Sequence, residues 1–402
     1  MPGFEEVPIF SPVSLGQEAE TTLVLALLED VVFGEPEIQR RLASYVKVEV
    51  AEKDQIILEL MDRFWEIPGS NGLFSVFRDF DTVFTILERK GHFVHQFEVF
   101  LLGWYLIGRL LMTDRGPSLI SRFDSIETLF NAWLLASTAH DFGYPLQIAG
   151  ELSKKVAELY DGIYMQNLSN RYSSILQKYR LDSEKALIEV KVRSGSARKS
   201  LTLNIEKFLS GGIKDALRVN AGDLKELQRV LRRKRNHGYI SSMILCRSLI
   251  GHLSESGVWN LKSHKWRIDN LRMAASAIAL HGLPAKEEEY IKKISFDANP
   301  LAYLLLVIDH LQEWDRSVRP HKKWPCYNLL HFEATNNGMH VSYVLTHEKW
   351  TASMIKRVGK NIAEKTRVLT LPSPPEPSFN FRLSADFTSS DGHKFQSVIL
   401  TI

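Results

Sequence analysis

Up to about Pro320 the chain repeats apolar side chains at intervals of three and four, and this period restricts it to a fold dominated by packed helices. The pattern marks residues 19–32, 42–65, 75–88, 92–111 and 126–139, and it resumes at 224–253, 270–281 and 301–314. Gly, Pro, Asn and Ser breaks such as residues 68–72 fall between these segments, as expected where antiparallel helices turn. Residues 191–200, with Ser194, Gly195 and Ser196 among basic side chains, read as a surface loop.

Beyond Pro320 the period changes. Residues 329–334 and 339–345 flank Asn336-Asn337-Gly338, a hairpin turn signal, and 350–365 is a helix candidate. Residues 368–371, 379–387 and 395–402 alternate like strands, with Asp391-Gly392 as a second turn signal. The expected fold class is therefore mainly α: a helical bundle with a small C-terminal α+β appendage. Residues 1–84 are read as an N-terminal extension and helices packing on the core, 85–320 as the core domain and 321–402 as the appendage.

Composition narrows the function classes. The length of 402 residues exceeds the roughly 100 to 200 typical of one domain, so one large or two smaller cores are expected. Lys plus Arg (50) exceeds Asp plus Glu (47) by three, too little to attract nucleic acid or a membrane surface through overall charge. Only Cys246 and Cys326 are present, which fits a reduced, cytoplasmic setting rather than a disulfide framework. The N-terminal residues have no basic region followed by an apolar run, and residues 99–112 are interrupted by Gly103, Gly108 and Arg109, so neither a secretory signal nor a membrane anchor is expected.

Chemistry concentrates on histidines in apolar surroundings: His95, His140, His237, His281 and His310. A lone histidine on an apolar helix face is more often a core residue than a ligand. The pair His140-Asp141 has a stronger context. It ends the apolar run Trp133-Leu-Leu-Ala-Ser-Thr-Ala139 and leads into Phe142-Gly-Tyr-Pro145, where Pro145 and Gly143 stop the helix. Adjacent imidazole and carboxylate groups suit a divalent cation, because the nitrogen satisfies a borderline metal while the oxygens can bridge to a second one. Asp309 lies inside an otherwise apolar helical stretch, where an uncompensated carboxylate is costly; a ligand role or a salt bridge to an arginine relieves that cost.

The order His95, His140-Asp141, His237, His281, Asp309 resembles the H…HD…H…H…D signature of the HD-domain metal-dependent phosphohydrolases. The local contexts His95-Gln-Phe-Glu-Val99, Asn236-His-Gly-Tyr-Ile-Ser-Ser242, Ala277-Ile-Ala-Leu-His281 and the helix around Asp309 fit as well, and the match covers roughly residues 85–320. The resemblance implies that His95, His140, Asp141 and Asp309 hold a first metal ion. It implies that His237 and His281 hold a second, with Asp141 bridging and a shared water as nucleophile. One or two divalent ions, Mn, Fe, Zn or Mg, are the implied cofactors, and the many imidazoles favour transition metals. The implied activity is hydrolysis of a phosphate ester or anhydride of a nucleotide or another small phosphorylated metabolite, with no membrane partner; a homo-oligomer is compatible.

Asp141, His237 and Arg316 are the residues expected to act in catalysis, Arg316 by contacting phosphate or orienting a carboxylate. The run Arg229, Arg232, Arg233, Lys234, Arg235 is either a solvated face or a phosphate clamp in which Arg233 and Arg235 take part. His310 points about 100 degrees away from Asp309 on a helix and is read as an outer contact or a structural residue, while His92 nearly shares the face of His95 and is read as an outer contact or a substitute ligand. Gly143-Tyr144-Pro145 spells the letters of the HD-GYP subgroup, but it follows the His-Asp pair directly, and the chain lacks that subgroup's paired-His segment. A cyclic dinucleotide substrate is therefore not implied. No nucleotide-binding glycine loop, zinc-type cysteine pair or serine-nucleophile motif is present. Two other readings of the same residues stand beside hydrolysis: a di-iron oxygenase on the same scaffold, and a regulatory module that binds nucleotide or metal without turnover.

Overall fold

The computed structural model describes residues 36–45, 50–64, 92–111, 116–123, 125–144, 187–194, 197–233, 236–255, 261–283, 290, 294, 296–311, 327–335, 338–345, 382–389 and 394–401. Helices dominate them, as the apolar period implies. The chain divides into two compact units: Met1–Leu60, Phe93–Phe130 and Leu306–Ile402 form the first, Met61–His92 and Asn131–Leu305 the second.

In the first unit, α1 (Pro36–Tyr45) and α2 (Val50–Phe64, up to Leu60) stand where one helical stretch over 42–65 was expected. Pro36 opens α1, a position where its missing N–H would be unsatisfied in any residue. Arg41 of α1 pairs with Glu59 of α2. The helix α3 (His92–Leu111) is buried throughout residues 94–107, so it is an interior helix rather than one with a wet face. Its Phe97 meets the Tyr45 ring edge-on at 5.1 Å, while Phe100 and Trp104 meet Phe130 at 5.7 and 4.8 Å. Glu98 is buried on the same helix and is compensated there: it accepts a hydrogen bond from the Tyr45 hydroxyl at 3.0 Å, with the Lys53 ammonium 4.0 Å away. The short helix α4 (Gly116–Ser121) follows.

The first unit also holds the four-stranded sheet β3 (Tyr327–Thr335), β4 (Gly338–Leu345), β5 (Arg382–Ser389) and β6 (Lys394–Thr401), in that spatial order. The β3–β4 hairpin closes at Thr335 opposite Gly338, flanking the turn expected at Asn336-Asn337. β5 and β6 are antiparallel, whereas β4 and β5 are parallel and so require a long crossover. Residues 346–381 connect them; the helix expected at 350–365 and the strand expected at 368–371 lie there, outside the described residues. The expected helices 19–32 and 75–88 also lie outside them.

α5 (Ile126–Ala139) passes from the first unit into the second. The second unit then contains the hairpin β1 (Leu187–Ser194) and β2 (Ala197–Asn204), paired from Leu187 opposite Asn204 to Ser194 opposite Ala197. This corrects the reading of 191–200 as a loop. Ile188, Val190 and Val192 alternate with Glu189, Lys191 and Arg193, and Leu201 and Leu203 flank Thr202, a period of two that the basic and serine-rich composition obscured. The helices α6 (Ile205–Leu217), α7 (Ala221–Arg233), α8 (His237–Glu255), α9 (Leu261–His281) and the start of α10 (Pro300–Leu311) complete the unit. α8 and α9 pack on each other, α6 packs on both, and β1 lies against α8.

Asparagines set the helix starts in this unit. Asn204 caps α6 by accepting from the Lys207 amide at 2.9 Å, Asn220 caps α7 by accepting from the Gly222 and Asp223 amides, and Asn299 caps α10 by accepting from the Ala302 amide at 2.9 Å. The stretch expected as continuous over 224–253 is two helices, because Asn236 caps α8 in the same way.

Candidate metal centre

Three helix ends of the second unit carry its candidate ligands. α5 delivers His140 and Asp141 in the turn past its C-terminus, α8 begins with His237, and α9 ends with His281. His140 and Asp141 are buried, His281 is 6% exposed and the His237 side chain 24%.

The imidazoles of His140 and His281 are oriented by the same local device. Each Nδ1 lies 2.5 Å from the carbonyl oxygen three residues earlier, Ser137 and Ile278 respectively. A carbonyl can only accept, so Nδ1 carries the proton and Nε2 the lone pair. These carbonyls belong to the last turns of α5 and α9, where the helix itself leaves acceptors unused. A ring N–H donated to a backbone carbonyl is also how metal-binding histidines are commonly held.

Asp141 stands between the rings. Its Oδ1 lies 3.6 Å from His237 Nε2 and 3.8 Å from His281 Nε2, while Oδ2 lies 3.7 Å from His140 Nε2. The two oxygens thus face different histidines. His237 Nε2 and His281 Nε2 are 3.2 Å apart, a separation at which two lone pairs repel unless a proton or a cation lies between them. Donors bound at about 2.0–2.2 Å around one ion lie roughly 3.0–3.6 Å from one another, close to these spacings. Ligand atoms of Asp141, His237 and His281 all lie within 4.8 Å of each other, so this buried His/Asp group could hold a metal ion. Imidazole nitrogens with one carboxylate suit a borderline transition metal better than a group of oxygens would.

The first unit brings together the remaining pair. His95 of α3 and Asp309 of α10 meet with Nε2 and Oδ1 3.1 Å apart, His95 being buried. Asp309 in its apolar helix is thereby compensated by an imidazole. Of the other candidates, Arg235 and Arg316 lie outside the described residues, and the side chains of Arg233, His92 and His310 are likewise not described.

Close backbone approach builds the centre, and the sequence reading did not assign it. A Cβ on Gly143 would lie 2.3 Å from the His237 carbonyl oxygen, and one on Gly238 would lie 2.4 Å from the Ile278 carbonyl oxygen and 3.0 Å from His281 Nδ1. One on Gly282 would overlap the Asn236 side chain. Gly143 therefore does more than end α5: it lets the turn after that helix touch the start of α8. The Gly143 amide donates to Ser241 Oγ at 2.6 Å and fastens the same junction. The Tyr144 ring stands edge-on to His237 with centroids 5.5 Å apart. Asparagine before a helix start and glycine just past a helix end are ordinary positions for these residues, and neither position by itself reveals the contact between the two ends.

Among the described residues no helix is long and apolar enough to cross a membrane. Compared with protein-family models, with curated proteins and with solved structures, the chain matches none.

Proposed function

We propose that this chain is a metal-dependent phosphohydrolase of the HD type, acting on a phosphate ester or anhydride of a nucleotide or another small phosphorylated metabolite. The observation that carries the reading is Asp141, whose two oxygens face separate histidines within a mostly buried group of nitrogen donors. That is the arrangement a bridging carboxylate requires. His237, His281 and Asp141 would hold one ion. The resemblance assigns His95, His140, Asp141 and Asp309 to another.

A bound divalent ion acts as a Lewis acid toward phosphoryl oxygens and lowers the pKa of bound water toward neutrality. The chain's own residues supply the rest. The carbonyls of Ser137 and Ile278 hold the His140 and His281 rings in one tautomer, with Nε2 toward the centre. Burial of His140, Asp141 and His281 keeps competing water away and strengthens their electrostatic effect. Arg233, Arg235 and Arg316 are proposed to meet the substrate phosphates, since guanidinium groups bind such oxygens bidentately.

Release of phosphate or a nucleoside monophosphate from a nucleotide panel, with Mn, Fe, Zn and Mg each added to metal-free protein, tests the reading. Turnover that depends on metal and falls at least about a hundredfold in Asp141→Asn is expected, a loss of about 3 kcal/mol in transition-state stabilisation. Tight nucleotide retention without product would instead mark a regulatory module, and an oxygen-dependent reaction with two irons bound would mark an oxygenase.

A further inference from the structure

Asn236 is buried at 6% exposure and uses both ends of its carboxamide. Its Oδ1 accepts from the Gly238 amide at 2.8 Å and the Tyr239 amide at 3.3 Å, which caps α8. Its Nδ2 donates across to the Gly282 carbonyl at 2.5 Å, on the residue that follows His281. The orientation of the amide is fixed by its partners, since the backbone N–H groups can only donate and the carbonyl can only accept. One side chain thus ties the helix start that carries His237 to the helix end that carries His281.

Asn299 makes a bridge of the same kind, from the start of α10 to Ser276 Oγ of α9, but touches no candidate ligand; Asn204 and Asn220 do less. Asn204 accepts from the Lys207 amide within its own helix start, and Asn220 likewise bonds only residues of the α7 start among its described partners. Gly238 and Gly282 complete the junction at Asn236, because a Cβ on either would collide with the opposite strand of backbone or with Asn236 itself. With glycines on both sides the two helix ends approach closely, and the Asn236 amide is the polar link that holds them in register.

We infer that Asn236 is a positioning residue: it sets the spacing of His237 Nε2 and His281 Nε2, 3.2 Å apart, and through it the affinity of the centre for a divalent cation. The metal part of this inference rests on the proposed function; the tether itself does not. Asn236→Ser separates the two bonds of the carboxamide, because serine is a good helix cap but reaches no carbonyl across the junction. Asn204→Ala, which removes a cap of the same chemistry at the start of α6, a helix that carries no candidate ligand, is the control for a general loss of stability.

Two readouts decide. Hydrogen exchange of the metal-free protein is expected to quicken about tenfold over residues 278–283 in Asn236→Ser and to stay unchanged there in Asn204→Ala. Titration with Co(II), followed by its visible absorption, is expected to give affinity about tenfold weaker for Asn236→Ser with an altered spectrum, and wild-type affinity and spectrum for Asn204→Ala. Unchanged exchange at 278–283 in the serine variant overturns the tether, whatever the metal result. Wild-type Co(II) affinity in that variant, or an equal loss in Asn204→Ala, overturns its control of the centre. Wild-type protein that binds no Co(II) refutes the metal reading, while the exchange result still decides the tether.

Discussion

Tyr303 lies in α10 with its ring edge-on to Phe296 at 6.0 Å, and burial pushes its phenol up to about 12 from an ordinary value of 10. A group whose pKa is raised on folding favours the folded state at every pH below its unfolded value. That contribution is lost as pH climbs from about 10 through 12, and a shift of this size corresponds to about 2–3 kcal/mol. Unfolding by denaturant at pH 8 and pH 11.5 is expected to show Tyr303→Phe losing markedly less stability over this range than the parent chain; identical losses would contradict the assignment. Burial likewise raises the Cys246 thiol, which disfavours its thiolate near neutral pH. At this scale the sequence made His140 and Asp141 readable from their adjacent place at a helix end, while His237 and His281 were picked out by the resemblance. It did not make Asn236, Gly238 and Gly282 readable. Their role comes from backbone approach between residues 46 positions apart in sequence, such as Asn236 and Gly282, and no local spacing records that.

Elements follow the same division. The helices expected at 92–111 and 126–139 occur with those bounds, since each is a sustained apolar period ended by turn residues. The breaks inside 42–65 and 224–253 were missed because apolar spacing continues across them; in the second the chain restarts with a capping asparagine. The β1–β2 hairpin was missed because charged residues alternate with its apolar ones and resemble a loop by composition. Caps of this kind have measurable weight. Asn299 is 2% exposed, caps α10 through the Ala302 amide and donates to Ser276 Oγ of α9 at 3.1 Å. Asn299→Ala removes these bonds and a third to the Met273 carbonyl, and leaves Ser276 with a poorer set of partners, so denaturant unfolding is expected to show a loss of about 1–3 kcal/mol. A change below a few tenths would mean that the cap does not hold the start of α10.

For the whole molecule, a formal charge of +3 leaves anion binding to local groups, and the chemistry resolves into two largely buried sets, each with one partly exposed member: His95 with Asp309 in one unit, and His140, Asp141, His237 and His281 in the other. The imidazole pair at 3.2 Å beside the Asp141 carboxylate is an arrangement that could hold a divalent ion. Binding to the folded state alone also stabilises it by mass action. Elemental analysis of the purified chain after dialysis, beside Asp141→Asn prepared identically, tests this most directly. The expected result is at least one transition-metal ion per wild-type chain, a higher unfolding temperature with metal than after chelation, and both features lost in the variant. Equal, near-zero metal content in the two proteins, with unfolding temperatures that chelator does not change, would contradict it.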